Sequence, residues 1–345
     1  MLHDSNNFKC YDTMKYIKII IIKSDYYTNR ILFVFEYLYK LIKNIFRESI
    51  DIIFVHYLLF SIFGIIAKLI TGRKMVSWAW GSDIRSLPNK NIFYRYIVKA
   101  GLKFSDKIIS PHPETHDLLV KLNVPKNKII DFQYSVDVEK FKIRSPDKEL
   151  LDDLGLTKEF VVLYLGRLDS FKGCEFIIES IPFVTNEEKN VKIIFVGDGD
   201  QEKLQSMAEE LGVENYVFFT GAKRHVEKYY SIATVIVLPS ITENIWSAVL
   251  MEALASGKAI ITTDVGYTSF FLKDLVLIVE PKNPIAIAKS ILRIIYDDKL
   301  RKELERKSRE YAEQNLNSSL NYRKLNYELK QLSKKKVFQN NKVVL

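Results

Sequence analysis

Apolar residues recur along this chain in two rhythms. In its second half, six short runs at residues 161–165, 192–196, 216–220, 235–238, 259–263 and 276–279 are separated by stretches of helical spacing. Leu204, Met207, Ala208 and Leu211 show that spacing in one such stretch, and Gly212 closes it. Strands alternating with helices in this way predict a parallel, doubly wound sheet. Two charged helices are expected at the end, over 300–316 and 319–335, the last rich in Lys.

The first half is less regular. Residues 16–22 form a β-type run, 29–46 have helical spacing and 51–55 read as the next strand, giving a β-α-β start. A strand over 74–79 ends at Trp80-Gly81-Ser82-Asp83, where glycine lets the backbone approach a ligand closely. A helix over 92–104, a strand over 107–110, a helix over 111–122 and the turn Tyr134-Ser135-Val136-Asp137 follow. Residues 141–159 are charged, hold Pro146 and have little strand character, which marks a linker. The expected division is an N-terminal domain over 1–145, a linker over 146–158, a second domain over 159–317 and a C-terminal helix within 318–345.

Residues 52–70 are apolar apart from a few positions such as His56 and Lys68, and so pass for a membrane span. The competing reading is a buried strand over 52–55, a polar stop at His56-Tyr57 and a core helix through Lys68; it accounts for His56, which a span does not. The 345 residues leave room for two cores of ordinary size, and 48% hydrophobic residues argue against disorder. The net charge of +9 suits nucleic acid, an anionic membrane surface or an anionic substrate without choosing among them. Cys10 and Cys174 are the only cysteines, so neither a disulfide framework nor a zinc site is expected, and a reducing cytosol is the natural compartment. Residues 1–13 are polar and lack a signal-peptide pattern. On the helix expected near 29–46, Arg30, Lys40, Lys43 and Arg47 lie among Phe33, Phe35, Tyr37, Tyr39 and Phe46; that fits either a core helix or salt-sensitive, peripheral contact with an anionic membrane.

The chemistry concentrates in residues 235–257. Pro239 stops a strand, and 246–256 read as a helix closed by Gly257, so the loop between them sits at the carboxyl end of a strand. Open α/β sheets bind ligands there, and a helix beginning at that edge turns unpaired N–H groups and its positive dipole end toward an anion. Glu243 in the loop and Glu252 on the helix can accept hydrogen bonds from hydroxyls of a sugar or ribose; each alone also reads as an ordinary helix-terminal or solvated acid. The run from Gly166-Arg167 to Lys172-Gly173 follows the first strand of the second half, so Arg167 and Lys172 project from the same edge as Glu243. A planar fork and a point charge together neutralise a diphosphate. Val196-Gly197-Asp198-Gly199-Asp200 resembles a dinucleotide turn but lacks the third spaced glycine, and reads as a tight turn near the nucleotide. His112 and His116, four apart without a third ligand, read as a helix-surface pair. Trp78 and Trp80 read as a core-and-rim pair, with sugar stacking on Trp80 left open beside Gly81.

Gly-Arg-Leu-Asp-x-x-Lys-Gly, Val-Gly-Asp-Gly, Pro-Ser-x-Thr-Glu-Asn and Met-Glu-Ala-Leu-Ala-Ser-Gly, in this order, resemble the retaining family 4 glycosyltransferases of the GT-B fold, over about residues 51–274. The resemblance implies two Rossmann-like, doubly wound parallel-sheet domains facing across a cleft, with the final helix crossing back onto the N-terminal one. It implies retaining transfer of a sugar from a UDP or GDP sugar to a glycan, lipid-linked or small-molecule acceptor. Such an enzyme would serve cell-envelope polysaccharide synthesis in the cytoplasm, at the inner face of the membrane, with no metal or other cofactor and no nucleic acid. By the same resemblance Arg167 and Lys172 hold the diphosphate, Glu252 the ribose and Glu243 the donor sugar, the catalytic set being Glu243, Arg167 and Lys172. Gly166, Gly197, Asn244, Ile245 and Trp246 complete the donor side, and Trp80, Gly81 and Asp83 stand on the acceptor side.

This chain departs from the family pattern in several places. Eight residues separate Glu243 from Glu252 where the family has seven, so a rigid transfer lands on Asn244. Glu243 is the expected contact, because a loop absorbs an extra residue and a helix does not. Trp80 stands where the family often has His, Tyr134-Ser135-Val136-Asp137 where it has Asn-Gly-Val-Asp, and no glycine-rich loop follows Ile22. The rival readings are a GT-B enzyme of another reaction type, such as a nucleotide-sugar epimerase, and a binding protein for nucleotide sugar, lipid or nucleic acid on a decayed scaffold.

Overall fold

The computed structural model describes residues 30–111, 113–242, 247–266, 268–333 and 343–344. The chain divides into two compact units, one of Met1–Tyr134 with Ser319–Leu345 and one of Ser135–Ser318. The strand expected at 16–22 lies outside the described residues.

In the first unit β1 (Ile52–Val55), β2 (Lys74–Trp78), β3 (Lys107–Ser110) and β4 (Ile129–Asp131) form a parallel sheet, joined at the β1 edge by the last two-residue strand, Val343–Val344. Alternation along β1 sends side chains to opposite faces. Ile52 and Phe54 meet Val76, Trp78, Ile109, Ile130 and Phe132, and this face is closed by Leu325 and Leu329 of the helix Ser318–Leu332. Ile53 and Val55 instead meet Leu41, Ile45, Ile65 and Met75 under the helices Arg30–Arg47 and Ser61–Thr71. The apolar stretch 52–70 is therefore a buried strand and a helix, and no helix among the described residues is long and apolar enough to cross a membrane.

The second unit holds β5 (Phe160–Leu165), β6 (Val191–Val196), β7 (Val217–Phe219), β8 (Val235–Leu238), β9 (Ala259–Thr263) and β10 (Leu277–Val279), all parallel, in the order β10-β9-β8-β5-β6-β7. Its core joins Val162, Tyr164, Phe195, Val235 and Ile261 to helix residues such as Ile177, Ile181, Ile287 and Ile291. From β5 the chain winds outward to β7, then returns to the other flank of β5 with β8 and winds outward again. That reversal makes the carboxyl ends of β5 and β8 the switch point at which open α/β sheets bind ligands.

The expected linker, 146–158, falls inside this unit. Residues 148–153 are a helix whose N-cap Asp147 accepts from Leu150 N at 3.0 Å and whose Leu150 is buried, so one apolar position among many charges suffices to dock it. The unit boundaries lie instead at Tyr134–Ser135 and Ser318–Ser319. Within the second unit, beside both boundaries, Val136 N donates to the Leu316 carbonyl at 2.8 Å and Ser318 N to the Val136 carbonyl at 3.1 Å.

Candidate functional site

Three consecutive carboxyl ends of the second sheet carry the predicted donor residues. After β5 the chain turns through Gly166 and Arg167 to a single 3-10 turn, Ser170–Lys172, and enters the helix Cys174–Glu187 through Gly173. Gly173 has φ +71°, and a Cβ there would stand 2.2 Å from the Pro239 carbonyl oxygen, so only glycine lets this turn lie against the loop leaving β8. Ile241 N donates to the Phe171 carbonyl at 2.9 Å, a second tie between the same two loops. On the other flank, a Cβ on Gly197 would overlap the Gly166 carbonyl oxygen at 1.8 Å, while Leu168 N donates to the Asp198 carbonyl at 2.8 Å. The turns after β5 and β6 are thus backbone against backbone, as a surface for a ligand that approaches main-chain groups requires.

Arg167 is 62% exposed, lies over the Phe171 ring at 5.1 Å and pairs with Asp169 at 3.0 Å. Lys172 Nζ lies over the same ring at 5.6 Å. Two cations thus stand against one aromatic ring, with the Tyr164 hydroxyl donating to the Arg167 carbonyl at 2.7 Å, an arrangement that can attract an anion with more than one charge.

Glu252 stands on the helix Ala248–Ala255, whose N-cap Ser247 accepts from Leu250 N at 3.2 Å. Burial pushes its carboxyl up to about 7 even though the Tyr230 hydroxyl donates to Oε2 at 3.0 Å and Lys140 attracts the charge; Glu227 adds to the rise. Tyr230 was not singled out in the sequence. Its only signal there is an aromatic hydroxyl just ahead of the strand that leads into the loop. Glu243, Asn244, Ile245 and Trp246 lie outside the described residues.

The acceptor-side candidates belong to the first unit. Gly81 precedes a four-residue helix, Ser82–Arg85, in which Asp83 is wholly buried and accepts from Leu58 N at 3.1 Å. Burial raises the Asp83 carboxyl, with backbone donors opposing. This carboxylate ties the turn after β2 to the segment after β1. Trp80 donates through Nε1 to the His56 carbonyl, with ring centroids 4.9 Å from His56 and 5.8 Å from Tyr134, and Trp78 lies buried beneath it at 5.6 Å. His56, Trp80 and Tyr134 form an aromatic rim at the carboxyl ends of β1, β2 and β4. Burial lowers the His56 pKa. Of the histidine pair, His112 lies outside the described residues, and His116 Nδ1 meets Asp131 Oδ1 at 2.7 Å.

Comparison with known proteins bears on the fold that carries these residues. Residues 147–311 match the family model of glycosyl transferases group 1, and residues 4–112 that of glycosyl transferase 4-like domains. An uncharacterized glycosyltransferase of Methanocaldococcus jannaschii is 28% identical over 270 residues, covering 71% of this chain and 64% of the relative. The N-acetylgalactosamine-N,N'-diacetylbacillosaminyl-diphospho-undecaprenol 4-alpha-N-acetylgalactosaminyltransferase of Campylobacter jejuni is 26% identical over 237 residues, covering 67% and 60%. The chain spans less than two thirds of the length of these curated relatives. Among solved structures, Anabaena HepE in complex with UDP superposes with a TM-score of 0.74 at 19% identity, covering 85% of this chain and 82% of that one. The chain is therefore built on the GT-B fold, and its residues 147–311 and 4–112 are similar to glycosyl transferases group 1 and glycosyl transferase 4-like domains respectively.

Proposed function

We propose that this protein is a glycosyltransferase that moves a sugar from a nucleotide-diphosphate sugar to a glycan or lipid-linked acceptor with retention of anomeric configuration. The observation that carries the reading is the pair of cations, Arg167 and Lys172, held at the reversal point of the second sheet on a turn knitted to the loop after β8. Glu252, on the helix that follows that loop, accepts from the ribose hydroxyls. Glu243 contacts the donor sugar. The Ser247 cap and the Tyr230 contact with Glu252 support the reading that the extra residue relative to the family spacing falls before Trp246, with Glu243 and not Asn244 in the carboxylate role. The cations and the helix N-terminus replace a divalent metal in neutralising the leaving diphosphate. UDP is the first nucleotide to test, since HepE was solved with it.

Peripheral contact with an anionic membrane is part of the same reading. The helix Ile92–Phe104 exposes Ile92, Phe93 and Tyr96 at 61–66%, with Arg95, Lys99 and Lys103 also exposed and no acidic residue in its sequence. Helix Arg30–Arg47 adds exposed Tyr39 and Phe46. An acceptor carried on a lipid would be met at such a surface.

Calorimetry with UDP and GDP tests the central claim. Charge-assisted contacts contribute about 1.5–3 kcal/mol, so Arg167→Ala is expected to weaken binding at least about tenfold. Unchanged affinity removes Arg167 from the site.

A further inference from the structure

Tyr230 is 1% exposed, and its position admits little freedom. Its ring meets Phe141 edge-on with centroids 5.8 Å apart, and its hydroxyl lies 3.0 Å from Glu252 Oε2 and 3.2 Å from the Val249 carbonyl. The hydroxyl therefore arrives at Glu252 from a ring that cannot turn away. The other groups facing Glu252 act in opposite directions. Lys140, from the segment after β4, favours its charge; Glu227, on the helix Val226–Ile232 with Tyr230, opposes it. Glu227 is itself paired with His225 at 3.1 Å and Lys140 at 3.8 Å. From the helix packed alongside, Arg309 donates to the Ala255 carbonyl at 2.6 Å, at the C-terminus of the helix that carries Glu252, and its own charge is paired with Glu313. Of these groups, the Tyr230 hydroxyl is the one in hydrogen-bond contact with the Glu252 carboxyl.

We propose that Tyr230 is a positioning residue of the nucleotide site: its hydroxyl fixes Oε2 of Glu252 and favours the ionised carboxylate, so that ribose hydroxyls bind at Oε1 and nucleotide affinity falls as the medium is acidified. This rests on the reading that Glu252 accepts from the ribose. A carboxylate accepts at both oxygens, and one of them is taken by Tyr230; protonation spends acceptor capacity on the carboxyl that remains. Burial brings Glu252 to about 7, so its charge is in play at neutral pH. Tyr230 stays protonated throughout, since burial and the adjacent carboxylate hold its own ionisation well above the ordinary tyrosine range.

The test is calorimetric titration with UDP, and with GDP in parallel, from pH 6 to 9, for the wild type, Tyr230→Phe, Glu252→Gln and the double variant. The nucleotide's own phosphate titration is common to all four and cancels in their ratios. From a midpoint of about 7, only about a tenth of Glu252 is ionised at pH 6, so wild-type affinity is expected to fall about tenfold between pH 9 and pH 6 relative to Glu252→Gln. Tyr230→Phe, which keeps the ring, is expected to displace the curve toward higher pH, with the loss shrinking at pH 9 and vanishing in the Glu252→Gln background. A Tyr230→Phe curve that overlies the wild type, or that is weaker by the same factor at every pH, overturns the proposal and leaves the ribose contact standing. A Glu252→Gln variant with the affinity and pH profile of the wild type, or no binding of either nucleotide, overturns the ribose contact itself. Should Tyr230→Phe fail to fold, 3-fluorotyrosine at position 230, which keeps the ring and donates more strongly, is expected to displace the affinity curve toward lower pH; a curve that overlies the wild type overturns the proposal.

Discussion

Replacing Gly173 by alanine tests whether the backbone contact between the two loops builds the site. Two costs act at this position. At φ +71° an L side chain meets its own backbone, which costs about 1–2 kcal/mol. The new Cβ would also stand 2.2 Å from the Pro239 carbonyl oxygen, a backbone atom that cannot swing aside, and overpacking of this kind adds about 1–3 kcal/mol. Gly212 provides the control, since its φ is +65° with nothing within 4 Å of a built Cβ, so Gly212→Ala carries the first cost alone. For a unit of this size about 1 kcal/mol corresponds to 2–4 °C of melting temperature, so Gly173→Ala should melt about 2–12 °C below Gly212→Ala. The functional difference should be sharper. Parting the turn from the loop after β8 breaks the Ile241 to Phe171 hydrogen bond and shifts Arg167 and Lys172, so UDP affinity should fall in Gly173→Ala and hold in Gly212→Ala. Scanning calorimetry and UDP titration on both variants give the answer. Equal melting shifts with equal UDP affinity would show that the contact does not position the site.

Glu243→Gln is expected to lower turnover by about ten- to a thousandfold with little change in nucleotide affinity, the scale of one lost transition-state contact; near-normal turnover in that variant with inactivity in Asn244→Ala would reverse the register chosen here. Turnover is expected to persist in EDTA, and its loss with rescue by magnesium or manganese would refute neutralisation by side-chain cations. Flotation with anionic vesicles should show binding that high salt releases and that Phe93→Ser with Tyr96→Ser weakens, whereas no binding at either salt rejects the membrane contact. Burial opposes the charge of Asp106, but Lys68 at 2.6 Å, Met75 N at 2.9 Å and Lys74 at 2.9 Å outweigh it and hold its pKa below the ordinary value. A depressed folded pKa gives stability that is present above the unfolded value near about 4 and lost as pH falls through the folded one. Circular dichroism melts should therefore show Asp106→Asn less stable than the wild type at pH 7, with the gap closing at acid pH; a gap that does not vary with pH rules this out.

The inner strands of the second unit, β5, β6, β8 and β9, were legible because they are buried on both faces over most of their length and so write apolar runs, as at Val235–Leu238. Arg167 and Lys172 were legible too, since a strand, a glycine and two cations stand in one contiguous segment. The Tyr230 contact with Glu252 was not, because it joins two helices 22 residues apart and depends on how each packs. The helix Lys148–Asp153 was hidden for a related reason. A short helix with a single buried leucine has no periodicity to show, and its charges read as linker. The burial of Asp83 was not legible either, since one oxygen of its carboxyl accepts from Leu58 N, a partner that only the neighbouring strand's position supplies.

The placement of Leu325 and Leu329 under the first sheet has a consequence for how the chain is made. The second unit is one continuous segment, Ser135–Ser318, and has all its strands before the ribosome reaches the final helix. The first unit, although begun earlier, keeps the face of Ile52, Phe54, Val76 and Trp78 uncovered until the helix Ser318–Leu332 has been translated. The later segment is thus free to finish folding first, and the nascent N-terminal sheet must wait through its synthesis with an apolar face in need of a chaperone or of rapid closure.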